Sequence, residues 1–447
     1  MQEILENPLW IGLALSALLV LPTVPFRWGL LACFAAFFWA DSSMRGGYEI
    51  RVARFGLLLA VLLQGALRLG RIGRGEPVPM AARLLFAWMV LSIAWSADRG
   101  YSILSCGAFL AVGILAFRLV PQLVATPAHA ERLLRGVLFL FLALLVLGFV
   151  PPLHPEEWFT ADRLRGFFAN ANGLGLSAAL LAPWPLVLLR TENGRPRALA
   201  FGIVFLLASL AFLSGSRTGF GGLLVAVGAT LFLRHPSRLL LGLAILGVLV
   251  TLATFIGGDV DLEQGASSHL ARLDTISRIS GRLERWRSGF DAARQAPVLG
   301  LGYMASQRVP MSIELDHEEG EDTVVITSWG ENFHSQPVET LVDLGIPGLV
   351  LFFALIVSLV RRFRRLAKSA VDPGVAPLAA ALAGTTFVMV IDSFFHNWLL
   401  TPGSPYSLLY WCLIGIGLRL ERIDRDAAAA VGALARTPRA IRAGATA

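Results

Sequence analysis

The chain alternates long apolar runs with short polar turns, and many of the runs approach the length of a membrane span. A helix needs roughly 17–25 mostly apolar residues to cross a bilayer. Runs of this kind cover 10–21, 28–40, 54–69, 84–95, 103–120, 133–150, 174–189, 198–213, 219–233 and 239–256. After one long polar interruption, three more follow at 338–360, 376–391 and 406–418. The first two are short and are separated by Pro22 and Pro25. The pattern predicts an all-α, polytopic integral membrane protein with about 12 transmembrane helices, or about 13 if the first two runs are separate. One long extracytoplasmic loop containing amphipathic helices completes the prediction.

The turns differ in charge. Segments 190–197, 234–238, 361–368 and 419–442 are rich in arginine and fall on one side, joined by 70–83. Short cytoplasmic loops collect Lys and Arg, so this side is expected to be cytoplasmic. The other side holds 96–100, 151–172, 257–336 and 401–405. The stretch 257–336 holds more acids than bases and, at about 80 residues, far exceeds an ordinary connection. It is expected outside the cytoplasm, in the periplasm of a cell with two membranes. Within it Leu283, Trp286 and Phe290 form a greasy stripe beside a cationic one of Arg278, Arg282 and Arg285. Such a helix suits a membrane surface, with its arginines toward lipid phosphates.

The expected division is 1–256 as N-terminal transmembrane helices, 257–336 as a periplasmic loop with catalytic elements, 337–420 as C-terminal transmembrane helices, and 421–447 as a cytoplasmic tail. The alanine-rich part, 427–447, is expected to be disordered.

Composition agrees with the pattern. Hydrophobic residues make up 55% of the 447 and charged residues only 15%, with mean hydropathy +0.66. A soluble globule carries about 25% charged residues, so soluble enzymes, coiled coils and disordered proteins are excluded. The net charge of +7 reflects arginine in the turns, and no nucleic-acid partner is expected. Cys33, Cys106 and Cys412 each sit in an apolar run without disulfide or metal spacing. The N-terminal MQEILENPLW lacks a basic region and a small-residue cleavage site, so it is expected to be retained.

Four constellations on the outer side carry candidate chemistry. Arg163-Leu-Arg165-Gly precedes Asn170-Ala-Asn172-Gly just before a span; Asn and Gly suit a helix cap, and Arg165 is placed to reach a cavity at the membrane surface. Ser214-Gly-Ser216-Arg217-Thr-Gly219 surrounds an arginine with small residues that leave room for a ligand. Gly281-Arg282-Leu-Glu284-Arg285-Trp286 leads to a turn at Ala296-Pro-Val-Leu-Gly-Leu-Gly302. Glu331-Asn332-Phe333-His334-Ser335 brings a histidine to the membrane boundary, before Glu339 and Asp343-Leu-Gly345-Ile-Pro-Gly348. Two acidic features read as solvated loop: Asp259-Val-Asp261 lacks the α/β surroundings of a metal-dependent transferase, and 314–322 is an acid cluster. No metal and no cofactor are expected.

In order and spacing, these motifs resemble the O-antigen ligase and polymerase superfamily of bacterial membranes. The matching elements are Arg165-Gly with Asn170-x-Asn172, Ser216-Arg217-x-Gly219, Gly281-Arg282-Leu-Glu-x-x-Trp286 with Pro297-x-x-Gly300-x-Gly302, and Asn332-x-His334-Ser335 before Asp343-x-Gly345-x-x-Gly348. Members frequently have Asn after the loop histidine, where this chain has Ser335.

The resemblance implies a metal-independent glycosyltransferase of the inner membrane with its active site facing the periplasm. It implies a glycan donor on undecaprenyl diphosphate. The acceptor is a lipid A-core sugar in a ligase, the favoured reading, or a lipid-linked glycan in an O-antigen or exopolysaccharide polymerase. Arginine forks match phosphate oxygens and keep their charge, so Arg217 and Arg282, with Arg165 and Arg285, are expected to hold the diphosphate. His334 is the expected base, because an imidazole is largely neutral at pH 7. Glu331, Asn332 and Asn172 are further expected substrate contacts. A lipid or solute transporter is the rival class, but the candidate groups gather at one outer face and the spans hold few ionisable residues.

Overall fold

The computed structural model of the protein describes residues 23–42, 47–68, 76–148, 158–160, 163–189, 195–234, 280–308, 310–315, 324–329 and 333–436. The expected spans at 10–21 and 239–256, the Asp259–Asp261 pair, Glu331 and Asn332 lie outside the described residues.

The described residues of the expected runs are mostly helical, and the run 174–189 is divided by a turn at 182–184. In chain order the described helices are α1 (Phe26–Ala40), α2 (Gly47–Arg68), α3 (Met80–Leu91), α4 (Arg99–Ile114), α5 (Pro127–Leu147), α6 (Ala171–Leu181), α7 (Pro185–Leu188), α8 (Arg195–Leu213) and α9 (Arg217–Arg234). The series continues with α10 (Ser280–Gln295), α11 (Gln336–Ser369), α12 (Val375–Ser393) and α13 (Pro405–Arg436). By length and composition Arg99–Leu123, Ala171–Leu188, Gln336–Ser369 and Val375–Ser393 can cross a membrane, and Phe26–Ala40, Met80–Ala94, Arg197–Leu213 and Arg217–Leu233 are shorter apolar helices. The outward faces suit lipid: Leu104 is 72% exposed, Val146 66% and Phe201 64%. Water would penalise that surface, whereas hydrocarbon does not.

At the centre stands α12, whose Ala, Gly and Thr side chains are almost all buried. It packs on α6, α9, α11 and α13. Small residues let helix backbones approach closely where lipid gives no hydrophobic drive to association. The polar turns then gather at two ends. One end carries the segments around Glu76, Val124, Arg362, Asp372 and Arg419. The other carries 92–101, 158–160, 163–170, 214–216, 296–308, 333–335 and 394–404.

Two expectations need correction. The fold is mostly helical but not purely so: β1 (Phe159–Thr160) pairs antiparallel with β2 (Arg163–Leu164), and β3 (Pro310–Leu315) with β4 (Val324–Trp329). The second hairpin follows from alternation at Met311, Ile313 and Leu315 and from the β-branched run Val324-Val-Ile-Thr327. The tail does not lose structure at Ala427, because α13 runs unbroken from Pro405 to Arg436; alanine is the strongest helix former. On α10 the expected greasy stripe is described only in part, since the side chain of Leu283 lies outside the described residues. Gly289 and Ala293 are buried, with Phe333 and Val338 against that side, Trp286 is half-buried beside them, and Phe290 is left 45% exposed.

Candidate functional site

The geometry starts from a break in α11. Gly345 has φ 66° and ψ −169°, and Pro347 follows. A left-handed φ favours glycine, and a Cβ at this position would meet the Val298 carbonyl. Three successive carbonyls before the break take donors from outside the helix; Ile346 N–H has turned away from Val342, and Pro347 has no N–H to offer Asp343. Each finds another donor. Leu301 N–H donates to Val342 (2.9 Å), Gly302 N–H to Asp343 (2.8 Å), and the Trp88 indole N–H to Leu344 (2.8 Å). In return Ile346 N–H donates to Pro297 (2.9 Å).

The carboxylate of Asp343, buried, closes the same turn by accepting from Met304 N–H and Ser306 N–H, both at 2.9 Å. Tyr303 N–H donates to Ser92 Oγ at 3.0 Å, and its phenol donates to the Leu400 carbonyl. Burial holds that phenol well above its ordinary pKa, so it remains a donor. The turn after α10 is therefore wired to α11, to the loop after α3 and to the turn after α12.

A second junction centres on Arg163 in β2. Its Nε donates to the Ser214 carbonyl at 2.8 Å and its Nη2 to Asn172 Oδ1 at 2.6 Å. Asn170 caps α6 by accepting from Gly173 N–H at 2.8 Å. Ser216 caps α9 by accepting from Gly219 N–H at 3.1 Å, which leaves Arg217 as the first residue of that helix, exposed. A cation there adds to the positive end of the helix dipole instead of screening it, which favours an anion nearby. Gly219 lies directly on the Gly175 backbone, so the starts of α6 and α9 touch.

The two junctions are joined through the turn after α12. Gln336 N–H, two residues beyond His334, donates to the His396 carbonyl at 3.1 Å, and Leu400 N–H donates to Gln336 Oε1 at 2.9 Å. Trp398 stacks on His396 and on Tyr406, with ring centroids 4.4 and 4.5 Å apart. Tyr406 in turn lies against Gly173 of α6.

Comparison with known proteins gives two likenesses. Residues 202–353 match the family model described as O-Antigen ligase. Over 412 residues, 90% of each chain, the protein is 26% identical to the exopolysaccharide production protein ExoQ of Rhizobium meliloti (strain 1021). Together these matches support the O-antigen ligase and polymerase superfamily. They indicate a membrane glycosyl-transferring enzyme.

Against this family pattern, the expected site residues fall as follows. Asn172 and Arg217 flank the Arg163 junction, and half-buried Arg165 lies two residues from Arg163, its N–H donating to Trp158 at 2.9 Å. His334 is half-buried at the approach to α11 with φ 49°, a left-handed conformation uncommon outside glycine. Arg285, half-buried, lies on α10, which docks on the start of α11. Arg282 lies in the first turn of that helix, and its side chain is outside the described residues. Sequence reasoning missed the role of Arg163, whose partners are 9 and 51 residues away. It also passed over Asp392 and His396, although an acid in an apolar run with a histidine four residues on is a readable signal.

Proposed function

We propose that the protein is an inverting, metal-independent glycosyltransferase that moves a glycan from undecaprenyl diphosphate to an acceptor sugar hydroxyl. Its reaction takes place at the motif-bearing end, facing the periplasm from the bacterial inner membrane, in a framework of about 12 spanning helices. His334 takes the proton of the acceptor hydroxyl. The freed oxygen attacks the anomeric carbon, and the bond from that carbon to the diphosphate oxygen breaks, its electron pair leaving with the lipid diphosphate. Attack from the opposite face inverts the centre. Arg217 and Arg282, with Arg165 and Arg285, stabilise the charge that grows on the leaving phosphate, as fixed guanidinium groups can in place of a divalent cation. Glu331, Asn332 and Asn172 orient the sugars.

The observation that supports this reading is the joining of the motif segments: Arg163 ties the first to the second, the 297–306 turn ties the third to the fourth, and the His396 turn ties the fourth to the first. The ligase reading, with lipid A-core as acceptor, follows the family description over 202–353. A polymerase reading, with a lipid-linked glycan acceptor, is favoured by the likeness to an exopolysaccharide production protein over 90% of the chain.

The test is transfer from a purified lipid-linked donor by wild type, H334A and R282A proteins that still fold and insert. Turnover is expected to fall at least about a hundredfold in H334A and in R282A; near-normal rates in both reject the assignment. One added chain on lipid A-core supports ligation, and a ladder of products supports polymerisation.

A further inference from the structure

Asp392 and His396 form a buried pair that the reaction above does not use. Asp392 lies in the last turn of α12 and is 2% exposed; His396 follows in the turn and is 3% exposed. The two side chains meet at 2.8 Å between Oδ1 and Nδ1. Asp392 also accepts, through its own carbonyl, the N–H groups of Phe395 (2.9 Å) and His396 (2.8 Å). One residue thus fixes the turn by its backbone and the imidazole by its carboxylate. Stacking on Trp398, at an interplanar angle of 9°, fixes the ring's plane as well.

Fold stability does not account for this arrangement. A buried carboxylate and imidazole cost desolvation, and apolar side chains of similar size commonly serve as well or better. Moreover, Nε2 of His396 is buried and meets no hydrogen-bond partner among the described residues, which is a further cost. What the pair does accomplish is to hold the His396 carbonyl and the Leu400 N–H, the two groups that clip Gln336 in place. The same turn leans through Trp398 and Tyr406 on α6, where Asn172 and Arg163 meet.

We infer that Asp392 and His396 are positioning residues, a dyad that sets where the segment bearing His334 stands relative to the arginine-bearing segments. This inference rests on the proposed transfer reaction. A base displaced by a fraction of an ångström loses transition-state geometry more than donor binding, so the dyad acts on turnover.

The experiment uses the full chain in lipid vesicles with a purified lipid-linked glycan donor. H396F keeps the stacked ring and removes the bond, and D392N removes the carboxylate charge while leaving an amide in its place. A third, H396N, keeps an N–H donor for Asp392. In D392N and H396F, kcat is expected to fall at least about tenfold with donor KM within about threefold, at unchanged folded fraction, and H396N is expected to recover most of the loss. Amide hydrogen exchange in the peptide spanning Gln336 is expected to quicken in H396F and not in H396N. Unchanged kcat, a loss that only tracks the folded fraction, an effect on KM alone, or failure of H396N to recover would each overturn the positioning role. If wild type transfers no glycan, the proposed function falls. The exchange measurement then still decides the positioning of Gln336: quicker exchange in H396F upholds it, and unchanged exchange overturns it.

Discussion

At the arginine-rich end, Glu76, buried, lies 3.1 Å from Arg419 and 3.7 Å from Arg422, while Arg419 also donates to the Val124 carbonyl at 2.8 Å. Arg362 pairs with Glu421 at 2.9 Å, and Asp372 N–H donates to Asp424 at the same distance. Long side chains reach across, most of them from α13. At the motif end, backbone groups make many of the decisive connections, and every positive-φ residue among those described lies there: Gly166, Gly215, Gly300, Gly302, Met304, His334 and Gly345. Left-handed backbone in a non-glycine residue is held only where its surroundings over-determine it, and such residues cluster at functional sites. One end is fastened by flexible tethers that tolerate small shifts. The other is built of short, directional bonds that do not.

This contrast can be broken by experiment. The largest effect is expected from G345V, which puts a branched side chain on a left-handed residue against the Val298 carbonyl. A cost of at least ~3 kcal/mol should appear as loss of most monodisperse protein on size-exclusion chromatography. A middling effect is expected from R163A, which leaves the Ser214 carbonyl and Asn172 without their donor. It should lower stability by about 1–2 kcal/mol while glycan transfer per folded molecule drops about tenfold, so thermal melting and turnover diverge. The smallest is expected from E76Q, since Arg419 and Arg422 remain partly in solvent. Its melting point should fall by the equivalent of ~1 kcal/mol with turnover unchanged. Should E76Q depress turnover as strongly as R163A, the division of labour between the ends is wrong.

Much of the helical framework could be read from hydropathy alone, because a lipid-facing segment must satisfy its own backbone and therefore has little choice but helix. The motif positions were also readable as local strings. Their assembly was not. Arg163 finds Ser214 across 51 residues and Trp88 finds Leu344 across 256; no local period encodes such pairs. The break at Gly345 was masked because Gly and Pro are tolerated inside membrane helices, so the string Gly345-Ile-Pro347-Gly348 read as the opening of a continuous span. The hairpin of β3 and β4 lay inside a stretch dominated by its acids, which hid the alternation beneath them.

The rewired carbonyls of α11 also bear on how the chain is made. Residues 297–302 are synthesised before 342–346, so the segment carrying the replacement N–H donors of Leu301 and Gly302 has already left the ribosome when the interrupted helix emerges. Reversing that order would send bare carbonyls toward hydrocarbon with those donors still untranslated. The direction of translation therefore suits this fold, and a circular permutant that placed the 297–302 segment after α11 would have to insert the broken helix without those partners.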